Sequence, residues 1–221
     1  MTTPKRTADF FDSYAYDFSA IYGGGTGFLH RLVSRHFRKS MMLRYSKTLE
    51  GCDPIEGRTV IDIGCGPGHY GIALAKKGAG HVLGIDFAQQ MIRLARDNAA
   101  AAGVGDVCEF VCDDFMTYPI NQQFDYSVVM GFMDYVTHPA EIVARALAVT
   151  KSKAFFSFPA EGGLLAWQRK LRYRRRCDLY MYGGEQLERL FAATEPARVR
   201  IEKIERDYFV TVVRPDFPRT R

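Results

Sequence analysis

Residues 60–71 read VIDIGCGPGHYG, and no other stretch of the chain restricts its fold as tightly. The first four are mostly β-branched and favour an extended strand. Gly64, Gly66 and Gly68 then allow a sharp turn in which a ligand can approach the backbone, and a helical pattern begins directly after them. The unit is strand, tight turn, helix. From about residue 58 that unit repeats: strands are expected at 58–63, 81–85, 107–111, 126–130 and 154–158, with helices at 70–77, 88–102 and 140–150 between them. Met91, Leu94 and Ala95 share one face of the second of these helices. Such alternation implies a doubly wound α/β fold around a mostly parallel sheet. It breaks after a helix at 185–193, where strand-like runs at 199–204 and 208–213 are separated by only a few residues. So short a link permits a hairpin but no parallel crossover, so the seven-stranded sheet should end in a C-terminal antiparallel hairpin. Residues 1–57 read as an N-terminal helical cap, 58–158 as the core, 159–184 as a basic insertion and 185–221 as the closing helix and hairpin, all in one domain.

Composition excludes several classes. With 47% hydrophobic and 25% charged residues the 221-residue chain suits one well-buried core. No apolar run reaches the roughly 20 residues of a membrane-spanning helix, and the first residues lack the apolar centre of a secretory signal. A cytoplasmic location is expected. Cys52, Cys65, Cys108, Cys112 and Cys177 are odd in number and form no C-x-x-C, so they read as reduced, mostly buried thiols, and no metal site is expected.

In an open sheet of this kind ligands bind beyond the carboxyl ends of the strands. Gly66-x-Gly68-x-x-Gly71 formally satisfies a dinucleotide fingerprint, which makes a nicotinamide-dependent oxidoreductase or a silent nucleotide-binding module a rival reading. Asp62 argues against it, because a carboxylate at the strand end repels a pyrophosphate and attracts a ligand that carries an ammonium and a sulfonium. Asp86, 20 residues beyond Gly66, can accept from two ribose hydroxyls. Asp114, in FVCDDFMTYP, is set to accept from an adenine amino group, with Phe87 or Phe115 packed on the ring. Each acid taken singly is better explained by a helix cap or a turn, and it is their recurrence after successive strands that points to a ligand.

Four segments together resemble class I S-adenosylmethionine-dependent methyltransferases: VIDIGCGPG, VLGIDFAQQMI, FVCDDFMTYP and FDYSVVMGFMDYV. The resemblance covers residues 58 to about 158, and the closing helix and hairpin match that family's sheet. It implies S-adenosylmethionine as cofactor and S-adenosylhomocysteine as product. It implies further that Asp62 and the backbone at Gly64 and Met130 hold the amino-acid end, Asp86 the ribose, and Asp114 with Phe115 the adenine. Cys65, Gly66, Gly68, Phe87, Met91 and Asp113 complete the expected cofactor site. Asp113 stands where the family often has glycine, which leaves open which of the two aspartates faces the adenine. YGGGTGF (22–28) and SFP (157–159) resemble short segments of magnesium-protoporphyrin O-methyltransferases.

Methyl transfer from a sulfonium is an in-line displacement with an excellent leaving group, so the protein mainly aligns the acceptor and excludes water. A base is needed only where the acceptor carries its proton. Asp134 is the first candidate, with a surface cap as its alternative; Tyr135 and His69 follow, then His138. Neither an N-P-P-Y signature nor a Pro-Cys pair is present. Tyr14, Tyr16 and Tyr22 belong to a cap expected to cover the cofactor, or anchor its helix to the core.

The charge of +5 is unevenly placed: 28–49 holds six basic residues (Arg31, Arg35, Arg38, Lys39, Arg44, Lys47) and no acid, and 169–176, RKLRYRRR, holds six more. Both segments are expected to overhang the substrate pocket, which favours a small anionic substrate, although a solvated face is the commoner fate of such runs. Phe28, Leu29, Leu32, Val33 and Phe37 recur at helical spacing, as in a core-packed helix or, second, a helix in peripheral contact with a membrane surface. Aromatics interleave the basic residues only around Tyr173, which argues against a nucleic-acid partner, and nothing in the sequence fixes the oligomeric state.

Overall fold

The computed structural model describes residues 28–162, 179–194 and 198–215, with side chains from residue 39 onward. Tyr14, Tyr16, Tyr22, the basic run 169–176 and Cys177 lie outside the described residues, as do the side chains of Arg31, Arg35, Arg38 and the apolar positions between 28 and 37. The elements run in order: α1 (Phe28–Gly51), β1 (Thr59–Ile63), α2 (His69–Lys76), β2 (His81–Asp86), α3 (Gln89–Ala101), β3 (Cys108–Cys112) and β4 (Phe124–Val129). A single 3-10 turn follows (Met133–Tyr135), then α4 (Pro139–Ala148), β5 (Thr150–Pro159), α5 (Gly184–Ala192), β6 (Arg198–Ile204) and β7 (Asp207–Val213). No helix among the described residues is long and apolar enough to cross a membrane.

The strands form one seven-stranded sheet in the order β3-β2-β1-β4-β5-β7-β6. β1 to β5 pair in parallel, and β7 enters antiparallel between β5 and β6, so the hairpin closes the sheet as its short link requires. The chain direction reverses its walk across the sheet at β1 and β4, and the crevice at their carboxyl ends is where such folds bind ligands.

β1 is buried on both faces. Ile61 and Ile63 point into one core with Phe156, Phe158, Leu187 and Phe191, while Val60 points into the other with Val82, Leu74, Phe110 and Phe155. Alternation along a strand sends successive residues to opposite faces, and a parallel sheet covered by helices needs both apolar. Phe158 meets Tyr182 at 4.9 Å and 74° between ring planes, and Phe191 at 5.9 Å and 88°, which packs α5 and the segment before it onto β5. Gly84 lies under the Phe110 ring, which a Cβ there would meet.

Two boundaries differ from the sequence reading. Thr150, expected to end α4, begins β5: its hydroxyl bonds Ser127 and the Ala146 carbonyl, each at 2.6 Å, so a polar side chain is satisfied inside the sheet. β5 is also ten residues long, against an expected five, because the polar residues Lys151 to Lys153 hid its first half. Lys153 escapes burial by reaching the Gly51 carbonyl at 2.8 Å with its stem along Tyr126.

β1 is pinned to β4 at its start. The Asp125 carboxylate accepts from the Thr59 N–H at 2.9 Å and the Thr59 hydroxyl at 3.0 Å, while the Asp125 N–H donates back to that hydroxyl at 3.0 Å. Burial pushes the Asp125 carboxyl up, but the Thr59 donors with Arg58 and Lys151 outweigh it and hold it below the usual carboxylate range. Asp125→Ala leaves the Thr59 donors without their acceptor and should cost about 1–3 kcal/mol in urea unfolding. A lowered folded value means that the wild-type advantage exists above the unfolded value and should vanish as pH falls through the folded one.

Candidate active site

Asp62 sits in the last turn of β1, between Gly84 of β2 and Val128 of β4 in register, and is 1% exposed. Its Oδ2 accepts the Gly71 N–H at 3.2 Å. Burial pushes its carboxyl up to about 7; the Gly71 donor opposes that rise and the negative charge of Asp86 adds to it. Among the described residues, the two groups that act on it are a neutral donor and an acid, so the site favours positive charge in a ligand.

The loop that follows is built on glycine where glycine is required. Gly64, Gly66 and Gly68 have φ of 69°, 51° and 80°, in the left-handed region. A Cβ at Gly64 would lie on the Phe132 ring, and one at Gly68 would meet Phe110 and Ile72. The Gly64 and Cys65 N–H groups both donate to the Ile85 carbonyl, at 2.8 and 3.1 Å. Cys65 is 6% exposed and burial pushes its thiol well up, so it is a packing residue of the loop and no nucleophile.

Asp86 combines two tasks. Its Oδ2 accepts the Gly66 N–H and its Oδ1 the Ala88 N–H, each at 2.9 Å, so it locks the glycine loop to the start of α3. Both bonds hold the carboxylate at the carboxyl end of β2. Phe87 is half-buried beside Ala88 and Met91, and Met91 is 2% exposed, packed into its own helix. Beyond β3, Asp113 is exposed and accepts the Asp114 N–H at 2.7 Å, while Asp114 accepts the Met116 N–H at 2.9 Å in a side-chain turn. Phe115 is 3% exposed, with the Arg145 guanidinium 5.3 Å above its ring and the Arg145 Nε donating to its carbonyl at 2.8 Å.

The chain leaving β4 passes through Met130, 8% exposed, and Gly131, φ 71°, into the 3-10 turn. Asp134 is buried at 3% exposure and is therefore no surface cap. Its carbonyl accepts the Tyr180 N–H at 2.8 Å, and the Tyr182 hydroxyl donates to the Met133 carbonyl at 3.2 Å. Burial and then the Asp134 charge push the Tyr182 phenol far up, so it stays a hydrogen-bond donor. Tyr135 is half-buried; His69, the first residue of α2, is also half-buried, and burial lowers its affinity for a proton. His138 is exposed, just before α4.

Residues 60–153 match the methyltransferase-domain family. The matched residues run from β1 into β5 and carry the glycine loop together with Asp62, Asp86 and Asp114. Over 113 residues, 49% of the chain, it is 34% identical to a ubiquinone biosynthesis O-methyltransferase of Neisseria meningitidis, covering 47% of that protein. Over 61 residues, 28% of the chain, it is 51% identical to a ribosomal protein L11 methyltransferase of Aeromonas hydrophila, covering 20% of it. The chain thus spans about half or less of the curated relatives it matches. In fold it is similar to a magnesium protoporphyrin IX methyltransferase of Synechocystis solved with bound S-adenosylhomocysteine, with a TM-score of 0.73, 18% identity, and 94% and 98% of the two chains covered.

Two polar residues at the edge of this candidate site, Arg44 and Ser157, carried no individual signal in the sequence. Arg44 of α1 has its side chain 12% exposed and donates to the Ser157 hydroxyl at 3.1 Å. A Cβ on Gly131 would lie 4.0 Å from the same guanidinium nitrogen. Ser157 also accepts the Gly131 N–H at 2.8 Å. Arg44 was legible only as one member of a basic run, and Ser157 only as part of the SFP segment. The run itself divides: Lys39 pairs with Glu205, Lys47 with Glu202 at 3.0 Å, and Arg44 lies 3.7 Å from Asp207. The three cations of the run whose side chains are described therefore contact the β6–β7 hairpin, and of these Arg44 also reaches the β4 loop through Ser157.

The raised Asp62 value fixes a sign. The folded carboxyl holds its proton to about 7 and the unfolded one only to about 3.9, so the ligand-free protein should lose stability as pH rises between them. Asp62→Asn should flatten that slope, as read from thermal melts across the window; an unchanged slope would assign it to another group.

Proposed function

We propose that the protein transfers the methyl group of S-adenosylmethionine to an oxygen or nitrogen of a small anionic metabolite or lipid-linked precursor. The observation that carries the cofactor half is the buried Asp62 carboxyl at the end of β1, beside the glycine loop, with a neutral N–H and the Asp86 carboxylate as the described groups that act on it. A ligand that brings an ammonium and a sulfonium relieves that demand, whereas a pyrophosphate would deepen it. In this reading Asp86, at the end of β2, accepts from the ribose, and Asp114 or Asp113 accepts from the adenine amino group. Arg44 supplies the opposite charge for the cofactor's carboxylate. That a neighbour of the same fold was solved with S-adenosylhomocysteine supports the reading.

In the reaction the acceptor's lone pair forms a bond to the methyl carbon as the carbon–sulfur bond breaks, and the sulfonium becomes a neutral thioether. The acceptor's proton, where it has one, leaves to a base or to water. Asp134 is the group we assign to orient or deprotonate the acceptor, since it is a buried carboxyl held in the 3-10 turn where the chain leaves β4. Tyr135 and His69 are secondary candidates. The O-methyltransferase among the relatives supports oxygen as the accepting atom, and the run 169–176 supports an anionic acceptor. A protein acceptor is the second reading, favoured by the likeness to the ribosomal protein enzyme.

Calorimetric titration tests the cofactor: S-adenosylmethionine and S-adenosylhomocysteine should bind and NAD should not, and tight NAD binding with neither adenosyl ligand would reject the proposal. For the acceptor, labelled S-adenosylmethionine in cell extract identifies what is methylated. Reversing the charge at Arg172, Arg174 and Arg175 should then leave cofactor affinity intact and lower turnover of that acceptor; equal turnover removes the run from substrate binding.

A further inference from the structure

The peptide bond between Met130 and Gly131 lies where the chain leaves β4, with β1 on one side in the sheet and β5 on the other. Its N–H donates to the hydroxyl of Ser157, a residue of β5 that is fully buried. In a planar trans peptide the carbonyl points opposite to the N–H. The Met130 carbonyl is therefore turned away from the Ser157 hydroxyl, at the end of the strand that pairs with the Asp62 segment of β1. The left-handed backbone at Gly131 then takes the chain off to the 3-10 turn.

The same hydroxyl accepts from Arg44 at 3.1 Å. That guanidinium nitrogen lies 3.7 Å from Asp207 at the start of β7, and the Ser40 hydroxyl donates to the same Asp207 oxygen at 2.5 Å. Ser40, Ser157 and Asp207 are each 2% exposed or less. Buried polar groups linked in this way across α1, β5, β7 and the β4 loop hold one another in a single geometry. At its centre is a serine that touches both the peptide and the cation of the amino-acid end.

We propose that Ser157 is a positioning residue for the amino-acid end of the cofactor, fixing the Met130 carbonyl that accepts the ammonium and the Arg44 guanidinium that meets the carboxylate. This rests on the cofactor reading given above. Asp207 and Ser40 brace Arg44 from the far side, which makes the C-terminal hairpin part of the cofactor site without touching the cofactor.

The test compares S-adenosylhomocysteine with 5′-methylthioadenosine, which keeps the adenosine and the sulfur and lacks the amino-acid end. In Ser157→Ala, affinity for S-adenosylhomocysteine should fall about tenfold, while that for 5′-methylthioadenosine stays within about twofold. Ser157→Thr, which restores a hydroxyl, should recover the wild-type preference. A purely structural serine would lower both affinities together or neither, and either result overturns the proposal. Should the alanine variant not fold, Ser157→Cys keeps the shape with a poor acceptor and carries the same expectation. Wild-type protein that binds neither ligand would instead reject the cofactor reading itself.

Discussion

Asp62 ends the central strand of the sheet with almost no access to water, and most of what surrounds it follows from keeping it there. β1 must be apolar on both faces to bring a carboxyl to that depth, and the glycine loop must turn at once so that the Gly71 N–H can reach back to it. Among the described residues one neutral donor answers the carboxyl, and Asp86 adds a second negative charge nearby. Such an arrangement costs stability in the free protein and is recovered when a cation arrives, which is how a binding site stores selectivity for charge.

Asp86 shows why a structural and a functional role need not compete. Its two backbone bonds tie the glycine loop to α3 and would by themselves justify an aspartate there. They also hold the carboxylate rigid at the strand end, which is what a hydroxyl-binding group needs. Asp114 follows the same pattern with its bond to Met116. The turn explanation for these acids is therefore realised, since each accepts from the N–H two residues on, and it is compatible with a ligand-binding role.

The hairpin and α1 form the second half of the architecture. Lys39, Arg44 and Lys47 meet Glu205, Asp207 and Glu202, so a segment that looked like a basic surface is largely a docking face. Exposed pairs of this kind contribute little each. Arg44 differs because it is nearly buried and reaches the β4 loop through Ser157, which joins the last strand of the chain to the site formed by the first four.

The sequence by itself determined the order of strands and helices, the hairpin and the acids at the strand ends, because period-two and period-3.6 patterns and glycine turns are local properties. It misread the start of β5, where polar residues interrupt the apolar run yet find partners inside the sheet, as Thr150 and Lys153 do. It left the 3-10 turn that buries Asp134 unmarked, since that burial depends on Tyr180 and Tyr182 from about 46 residues further on. Tertiary structure alone decided that Arg44, Ser157, Gly131 and Asp207 meet. Their separations in sequence carry no periodicity, and a hydrogen bond between distant residues exists only once the sheet has brought its strands to one edge.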